Sequence, residues 1–456
     1  MTSVDSTQSS LGQGLKTRHL TMMGLGSAIG AGLFLGTGVG IQLAGPAILL
    51  AYIIAGIIVI FVMQMLGEMA AARPASGSFA TYAQMAFGHW AGFTLGWLYW
   101  FMLIMVMGAE MTGAAAIMGS WFGVDPWIPA LACVVLFAFV NLVNVRGFGE
   151  FEFWFAFIKV FVIIAFLIIS FLMVFGLLPG TDFVGTKNFI GDHGFMPNGI
   201  AGVAAGLLAV AFAFGGIEIV TIAAAESEKP SEAIATAVRS VIWRISMFYL
   251  GSVLAITFLL PFDRIGGAES AAESPFTLIL SDAGIPAVAT IMEIVIVLAL
   301  LSAFNAQIYG TSRFVYSLAT KGDAPAFFAR LNSARVPNNS VLLSMVFAFL
   351  SVALNYWNPA GLLEFLLNAV GGCLIVIWVM ISLSHIKLHR EMDANGELSV
   401  RMWGFPFLPW LTVVLLLGLT ALMLFDASAR AQITSVSVIT LALVALSFTT
   451  KNKGKI

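Results

Sequence analysis

Long apolar runs, each closed by a short polar stretch, dominate this chain. A bilayer core takes about 20 apolar residues per helix. Runs of that size fall near 20–43, 47–72, 92–121, 127–145, 154–177, 199–224, 238–261, 285–317, 340–356, 361–386, 408–425 and 433–449. Twelve membrane helices are therefore predicted in an all-α membrane protein. The third and eighth are long enough to tilt or project, and the short run 340–356 leads into Asn355-Tyr-Trp-Asn-Pro359. Two runs are interrupted. The first carries Gly24, Gly26, Gly30, Gly32, Gly36, Gly38 and Gly40, and the sixth holds Phe212-Ala-Phe-Gly-Gly-Ile-Glu218. Backbone left unpaired at membrane depth is tolerated only where protein or a polar cavity satisfies it. Interruptions at matching positions of two halves point to the substrate site of a secondary transporter. The plainer alternative is close helix packing, which small residues permit.

Composition strengthens the membrane reading. The 456 residues are 60% hydrophobic and 10% charged, with a mean hydropathy of +0.99. A soluble chain carries about 25% charged residues, so a large soluble enzyme is excluded. The net charge of -2 gives no reason to expect nucleic acid. Cys133 and Cys373 lie in apolar runs and suggest neither a disulfide framework nor a metal site. No cofactor is expected. The polar stretch Met1 to Gly14 reads as a disordered tail, with no cleavable signal peptide in view.

Basic residues set the orientation, because they concentrate on the cytoplasmic side. With the N-terminus inside, sixteen of the 21 Lys and Arg residues are cytoplasmic. Lys159 and Arg313 lie within spans, and only Lys187, Arg264 and Arg430 fall outside. One span too many or too few would spoil this bias, so both termini are placed in the cytoplasm. Span one then starts inside and span six outside. Spans 1–5 and 6–10 can be repeats only about a pseudo-two-fold axis in the membrane plane. The expected organisation is a tail over 1–15, a first five-helix repeat over 16–177 and a second, inverted repeat over 199–386. Helices 11 and 12 follow over 408–449 as a peripheral pair, then a tail over 450–456. Amide N–H groups at the restart of span one favour a carboxylate. Freed carbonyls before the break in span six suit an ammonium. Together they would read an α-amino acid by its zwitterion.

The same stretches resemble the amino acid permeases of the amino acid–polyamine–organocation superfamily. The likeness runs from Gly14 to about Phe448 and rests on many ordered matches. They include Gly14-Leu-Lys-Thr-Arg-His-Leu-Thr21, Gly26-Ser-Ala-Ile-Gly-Ala-Gly-Leu-Phe34, Ala44-Gly-Pro-Ala47, Gly67-Glu-Met-Ala70 and Gly96-Trp-Leu-Tyr-Trp100. Gly149-Glu-Phe-Glu-Phe-Trp154, Ala225-Glu-Ser227 and Ser312-Arg313 add to them. Within the superfamily the chain looks most like the aromatic amino acid permeases, with a second likeness to the γ-aminobutyrate permeases. The resemblance implies a 5+5 inverted repeat of the LeuT-like kind with discontinuous helices 1 and 6. It further implies a proton-coupled importer of phenylalanine, tyrosine and tryptophan in a bacterial inner membrane, as a monomer or a homodimer among membrane lipids.

By that resemblance the carboxylate-binding amides are those of Ala31 and Gly32, with Ser27 and Gly30 shaping the turn. The carbonyls of Ala28, Phe212, Ala213 and Gly215 would hold the ammonium, and Phe212 or Phe214 would cover the substrate. Ordinary packing remains the alternative for each. Glu110 and Glu218 are acids well inside spans, where ionisable groups are costly and are functional candidates by default. Lys159 occupies the position where permeases carry a lysine in place of a sodium ion, which argues for proton coupling; snorkelling to the interface is its bland reading. Glu293 reads as a snorkelling surface acid, and His193 as loop chemistry. Small residues of span three, with Met105, Met107 and Met111 beside them, would leave room for an aromatic ring. Asn305, Gln307 and Tyr309 offer polar contacts to a phenol or indole. A membrane enzyme or a channel is disfavoured, since the spans hold scattered single acids, no histidine cluster and no pore stripe.

Overall fold

A computed structural model describes residues 29–75, 77–143, 148–191, 194–218, 230–265, 274–283, 286–332 and 336–450. All regular structure in these residues is helical. A π-type turn, Gly32–Gly36, leads into α1 (Thr37–Ala44), and a tight turn at Gly45-Pro46 leads to α2 (Ile48–Ala72). Gly45 has φ 64°, and Pro46 lies in the first turn that it opens, where its missing N–H costs nothing. Next come α3 (Ser78–Phe87), α4 (His89–Phe122), α5 (Trp127–Val143) and α6 (Phe148–Val174). The middle of the chain supplies α7 (Lys187–Ile190), α8 (Gly199–Ala213), α9 (Pro230–Trp243) and α10 (Gly251–Leu259). The rest is α11 (Pro275–Asp282), α12 (Pro286–Thr320), α13 (Asn338–Trp357), α14 (Leu362–Ala394), α15 (Phe407–Met423) and α16 (Ala427–Ser447).

Eight helical stretches among the described residues are long and apolar enough to cross a membrane, and three shorter apolar helices accompany them. At 1.5 Å per residue, the 34 residues of α4 and the 35 of α12 exceed the roughly 30 Å hydrocarbon core. Both must tilt or project, as their hydrophobic lengths predict. They pack on each other through the centre of the bundle. The run near 340–356 is a helix, and Asn358, at φ 41°, ends it in the left-handed conformation that asparagine tolerates. The helices α3 and α11 were not anticipated. Both are short and lie between the long apolar runs that hydropathy detects.

The last two helices pack on the bundle and leave much of their own surface exposed. α15 packs on α2 and α14, and α16 on α4 and α14. Phe407, Trp410, Val414, Leu417, Val438 and Leu441 stay largely exposed. On α6, Trp154, Phe157, Phe161, Ile168 and Phe171 form a similar apolar face. Surfaces of this size on a multi-helix bundle fit lipid as the solvent.

Candidate substrate and coupling site

Ser27 and Ala28 lie outside the described residues, and the site begins at Ile29 and Gly30. Ala31 caps the π-type turn, and its N–H has no partner within the helix. That N–H donates to both carboxylate oxygens of Glu110 on α4, at 3.1 and 3.0 Å. Glu110 is 3% exposed. The chain's own carboxylate thus occupies the amide that the resemblance assigns to a substrate carboxylate. Gly30 is what lets it approach. A Cβ there would lie 2.5 Å from Glu110 Oε1 and 3.0 Å from its carboxyl carbon.

The end of α8 meets this helix start. A Cβ on Gly32 would fall 2.6 Å from the Cα of Ala213 and 3.1 Å from the Phe212 ring. Glycine at position 32 therefore permits backbone-to-backbone contact. Beyond Ala213 the chain turns over 214–218, with Gly216 at φ 87°, a conformation that excludes most side chains. Residues 219–229 and those before 29 lie outside the description. What the structure places is one helix start against one helix end. Their dipoles present positive character at Ala31 and negative character at Ala213. The Phe212 carbonyl already accepts from Gly215 N–H at 2.8 Å. Phe212 lies against Gly32. Phe214 is fully buried, edge-on to Tyr52 at 5.8 Å and tilted on Tyr249 at 5.0 Å.

Lys159 on α6 is 1% exposed, so it does not snorkel to a surface. Its ammonium is close enough to Glu110 for the two charges to interact. The structure thus gathers Gly30, Ala31, Gly32, Glu110, Lys159, Phe212 and Ala213 in one neighbourhood. Glu218 is tied elsewhere, accepting from Trp378 Nε1 of α14 at 2.7 Å. Asn305 accepts from Asn141 Nδ2 of α5 at 2.7 Å. Tyr309 lies under the Arg313 guanidinium, 4.5 Å from its ring centre. Met107 and Met111 are fully buried in the bundle. They sit one helical turn apart and pack into a separate cluster with Ile104, Ala115 and Phe304. Glu293 accepts from Trp121 Nε1 at the surface, as a snorkelling acid should. His193 falls outside the described residues.

Two constellations escaped the sequence reading. Ser274, just before α11, donates to the Phe34 carbonyl at 2.8 Å, and Phe276 meets the Phe34 ring edge-on at 5.1 Å. A π-type turn frees such a carbonyl, and the Ser-Pro start of α11 was the legible signal. The second corrects an expectation. The spans do contain a histidine cluster: His385 and His389 of α14 both contact Glu68 of α2. His385-Ile-Lys-Leu-His389 was visible as two histidines one helical turn apart, but their carboxylate partner lies more than 300 positions away in sequence.

A bundle of long apolar helices, with a helix start against a helix end and buried Glu110 and Lys159 nearby, fits a membrane carrier. The chain belongs to the amino acid permease family, whose sequence profile matches residues 19–452; it is a transport permease and not an enzyme. It is 74% identical over 443 residues to the aromatic amino acid transport protein AroP of Corynebacterium glutamicum, covering 97% of this chain and 96% of that one. It is 41% identical to the γ-aminobutyric acid permease of Bacillus subtilis, over 99% of this chain and 96% of the relative. It is 37% identical to AroP of Escherichia coli K12, over 91% and 90% of the two chains.

Proposed function

We propose that this permease imports aromatic L-amino acids together with protons, by alternating access across a bacterial inner membrane. The observation that carries the proposal is the Glu110 carboxylate on the Ala31 amide, with Lys159 beside it. A substrate carboxylate that takes this amide must displace Glu110. Two carboxylates crowded on one buried donor repel each other, so displacement is easiest once Glu110 has accepted a proton. Substrate and proton therefore enter as a pair. The substrate ammonium turns toward the negative end of α8 and the carbonyls of Phe212, Ala213 and Gly215. The resemblance adds the Ala28 carbonyl to the ammonium's partners and gives Ser27, with Gly30, the shaping of the turn, while Phe212 and Phe214 would close over the side chain. The architecture proposed around this site is the twelve-helix, 5+5 inverted repeat with helices 1 and 6 discontinuous and both termini cytoplasmic. Glu218, held by Trp378, links the end of helix 6 to α14 during the change of state.

The high identity to AroP supports the aromatic substrates, and the γ-aminobutyric acid permease likeness supplies the alternative. The two make different demands. γ-Aminobutyrate places its ammonium three methylenes from its carboxylate, whereas an α-amino acid presents both charges on one carbon. Labelled tyrosine uptake into proteoliposomes, competed by phenylalanine, tryptophan and γ-aminobutyrate, separates them. Competition by tryptophan with none by γ-aminobutyrate is expected. The reverse pattern would overturn the aromatic assignment and leave the permease family standing.

A further inference from the structure

Glu68, His385 and His389 lie away from the proposed transport site, and the transport cycle leaves them without a role. We propose that they form a site for a divalent transition metal of the zinc class, bridging α2 and α14. One carboxylate oxygen, Oε1 of Glu68, meets Nε2 of His385 at 2.9 Å and Nδ1 of His389 at 2.5 Å. All three ligand atoms lie within 4.8 Å of one another. Two histidines one helical turn apart offer adjacent nitrogens on one helix face, the spacing by which helices hold zinc. Imidazole and carboxylate suit a borderline cation of this kind. Tetrahedral bonds of about 2.0–2.2 Å put neighbouring ligand atoms about 3.4 Å apart. Opening the observed contacts to that spacing takes side-chain shifts of under about 1 Å.

The surroundings fit a built site. Met402 N–H donates to the other carboxylate oxygen of Glu68, which leaves Oε1 for the metal and fixes the carboxylate plane. The Phe405 ring stacks on His389 at 3.7 Å and meets His385 edge-on at 5.9 Å, shielding the group from water. Glu68 and His385 are fully buried, while His389 keeps 8% exposure and gives an ion its way in. The same loop is anchored to α2 by Gln64 Nε2 on the Arg401 carbonyl at 2.9 Å. A metal here would pin α2, α14 and the 395–402 segment together.

The test uses the untagged, full-length protein, purified in detergent and stripped with a chelator. Cobalt(II) titration is expected to give visible d–d absorption that saturates at one equivalent, and zinc should abolish it. Zinc should also raise the Tm of the unmodified protein. His389→Asn and His385→Asn should each weaken cobalt binding by more than about 100-fold, since even outer partners of a metal site cost 10–100-fold, and should remove the zinc-dependent rise in Tm. His389 is the most accessible of the three, so its variant keeps the test decisive if Glu68→Gln fails to fold. No saturable cobalt band in the unmodified protein would overturn the proposal. So would equal binding in both histidine variants, which would place the metal elsewhere. Tyrosine uptake is a separate readout, so failure here leaves the transport assignment untouched.

Discussion

Glu110→Gln is the substitution that the proposed coupling constrains most tightly. The side chain keeps its shape, so the crowding against Gly30 is unchanged, and its amide oxygen still accepts from Ala31 N–H. What it loses is charge. Hydrogen bonds to a charged partner contribute about 1.5–3 kcal/mol, against about 0.5–1.5 kcal/mol for a neutral pair. The internal competitor for the Ala31 amide therefore weakens by about 1 kcal/mol, or roughly fivefold in affinity. In the unmodified protein, tyrosine should bind more tightly as pH falls and Glu110 takes up its proton. In the variant, affinity should be independent of pH and match the unmodified protein's low-pH value, a gain of about fivefold to tenfold at the alkaline end. Glu110→Gln also changes the net charge of a buried site, which is costly in a low dielectric. Glu110→Gln/Lys159→Met, which restores neutrality, is therefore the control for folding and should recover the lost Tm. Equilibrium binding of labelled tyrosine to purified protein between pH 5 and pH 9 decides the matter. An undiminished pH dependence in a folded Glu110→Gln protein would refute the competition mechanism.

The remaining predictions use other assays. Gly32→Val should abolish tyrosine binding, because its Cβ would strike the Ala213 backbone; near-normal affinity in a well-folded variant would place the carboxylate elsewhere. Lys159→Ala should lose proton-driven accumulation yet keep tyrosine exchange, and choline should replace sodium without effect on uptake; sodium-stimulated uptake at fixed pH and potential would count against both. Trp378→Phe leaves the buried Glu218 carboxylate without its 2.7 Å donor and should lower stability by about 1.5–3 kcal/mol, read as a drop in Tm. In the polar loop, hydrogen bonds from Arg73 and then Asn395 hold the Glu397 carboxyl below its ordinary range. A depressed carboxyl adds stability above its unfolded value, and that contribution fades as pH falls through the folded one. The Tm of Glu397→Gln should accordingly fall less between pH 7 and pH 4 than that of the unmodified protein.

The local features of the proposed transport site were legible because they are local. The glycines at 30 and 32 left close packing open as the plainer alternative to a break, and both stand at close approaches; Gly215-Gly216 marked an interruption, and the chain turns there with Gly216 at φ 87°. The burial of Glu110 and Lys159 followed from polar residues inside apolar runs. Sequence could not show that Glu110 itself sits on Ala31 N–H, since that contact joins positions 79 apart. The Glu68–His385–His389 group was missed for the same reason, its two histidines being readable only as a pair with no partner. The cluster that Met107 and Met111 join was not legible, because a long buried helix is apolar all round and composition does not say which face meets which neighbour. The short helices α3 and α11 escaped a reading tuned to bilayer-length runs.

The Glu110–Ala31 contact also bears on leak, the failure that a symporter must prevent. In the proposed cycle the empty carrier returns with Glu110 deprotonated. Its carboxylate then satisfies the buried Ala31 amide and faces Lys159, so no donor or charge is stranded in a low dielectric. A carrier that holds a proton without substrate is worse off. The neutral Glu110 accepts more weakly from Ala31, and the negative charge within electrostatic reach of Lys159 is gone. A buried hydrogen bond to a neutral acceptor contributes about 1 kcal/mol less than one to a charged acceptor, and a buried charge pair reduced to one charge adds to that cost. Substrate removes both costs, because its carboxylate restores the negative charge at the same amide. Passage of the proton alone is thereby disfavoured against passage of the pair. The expected signature is proton flux into unmodified proteoliposomes that rises sharply on adding tyrosine. Gly30→Ala, whose Cβ pushes Glu110 off the amide, should raise the substrate-free proton leak relative to tyrosine-driven flux. A leak unchanged in that variant, with transport intact, would show that the contact does not guard the empty state.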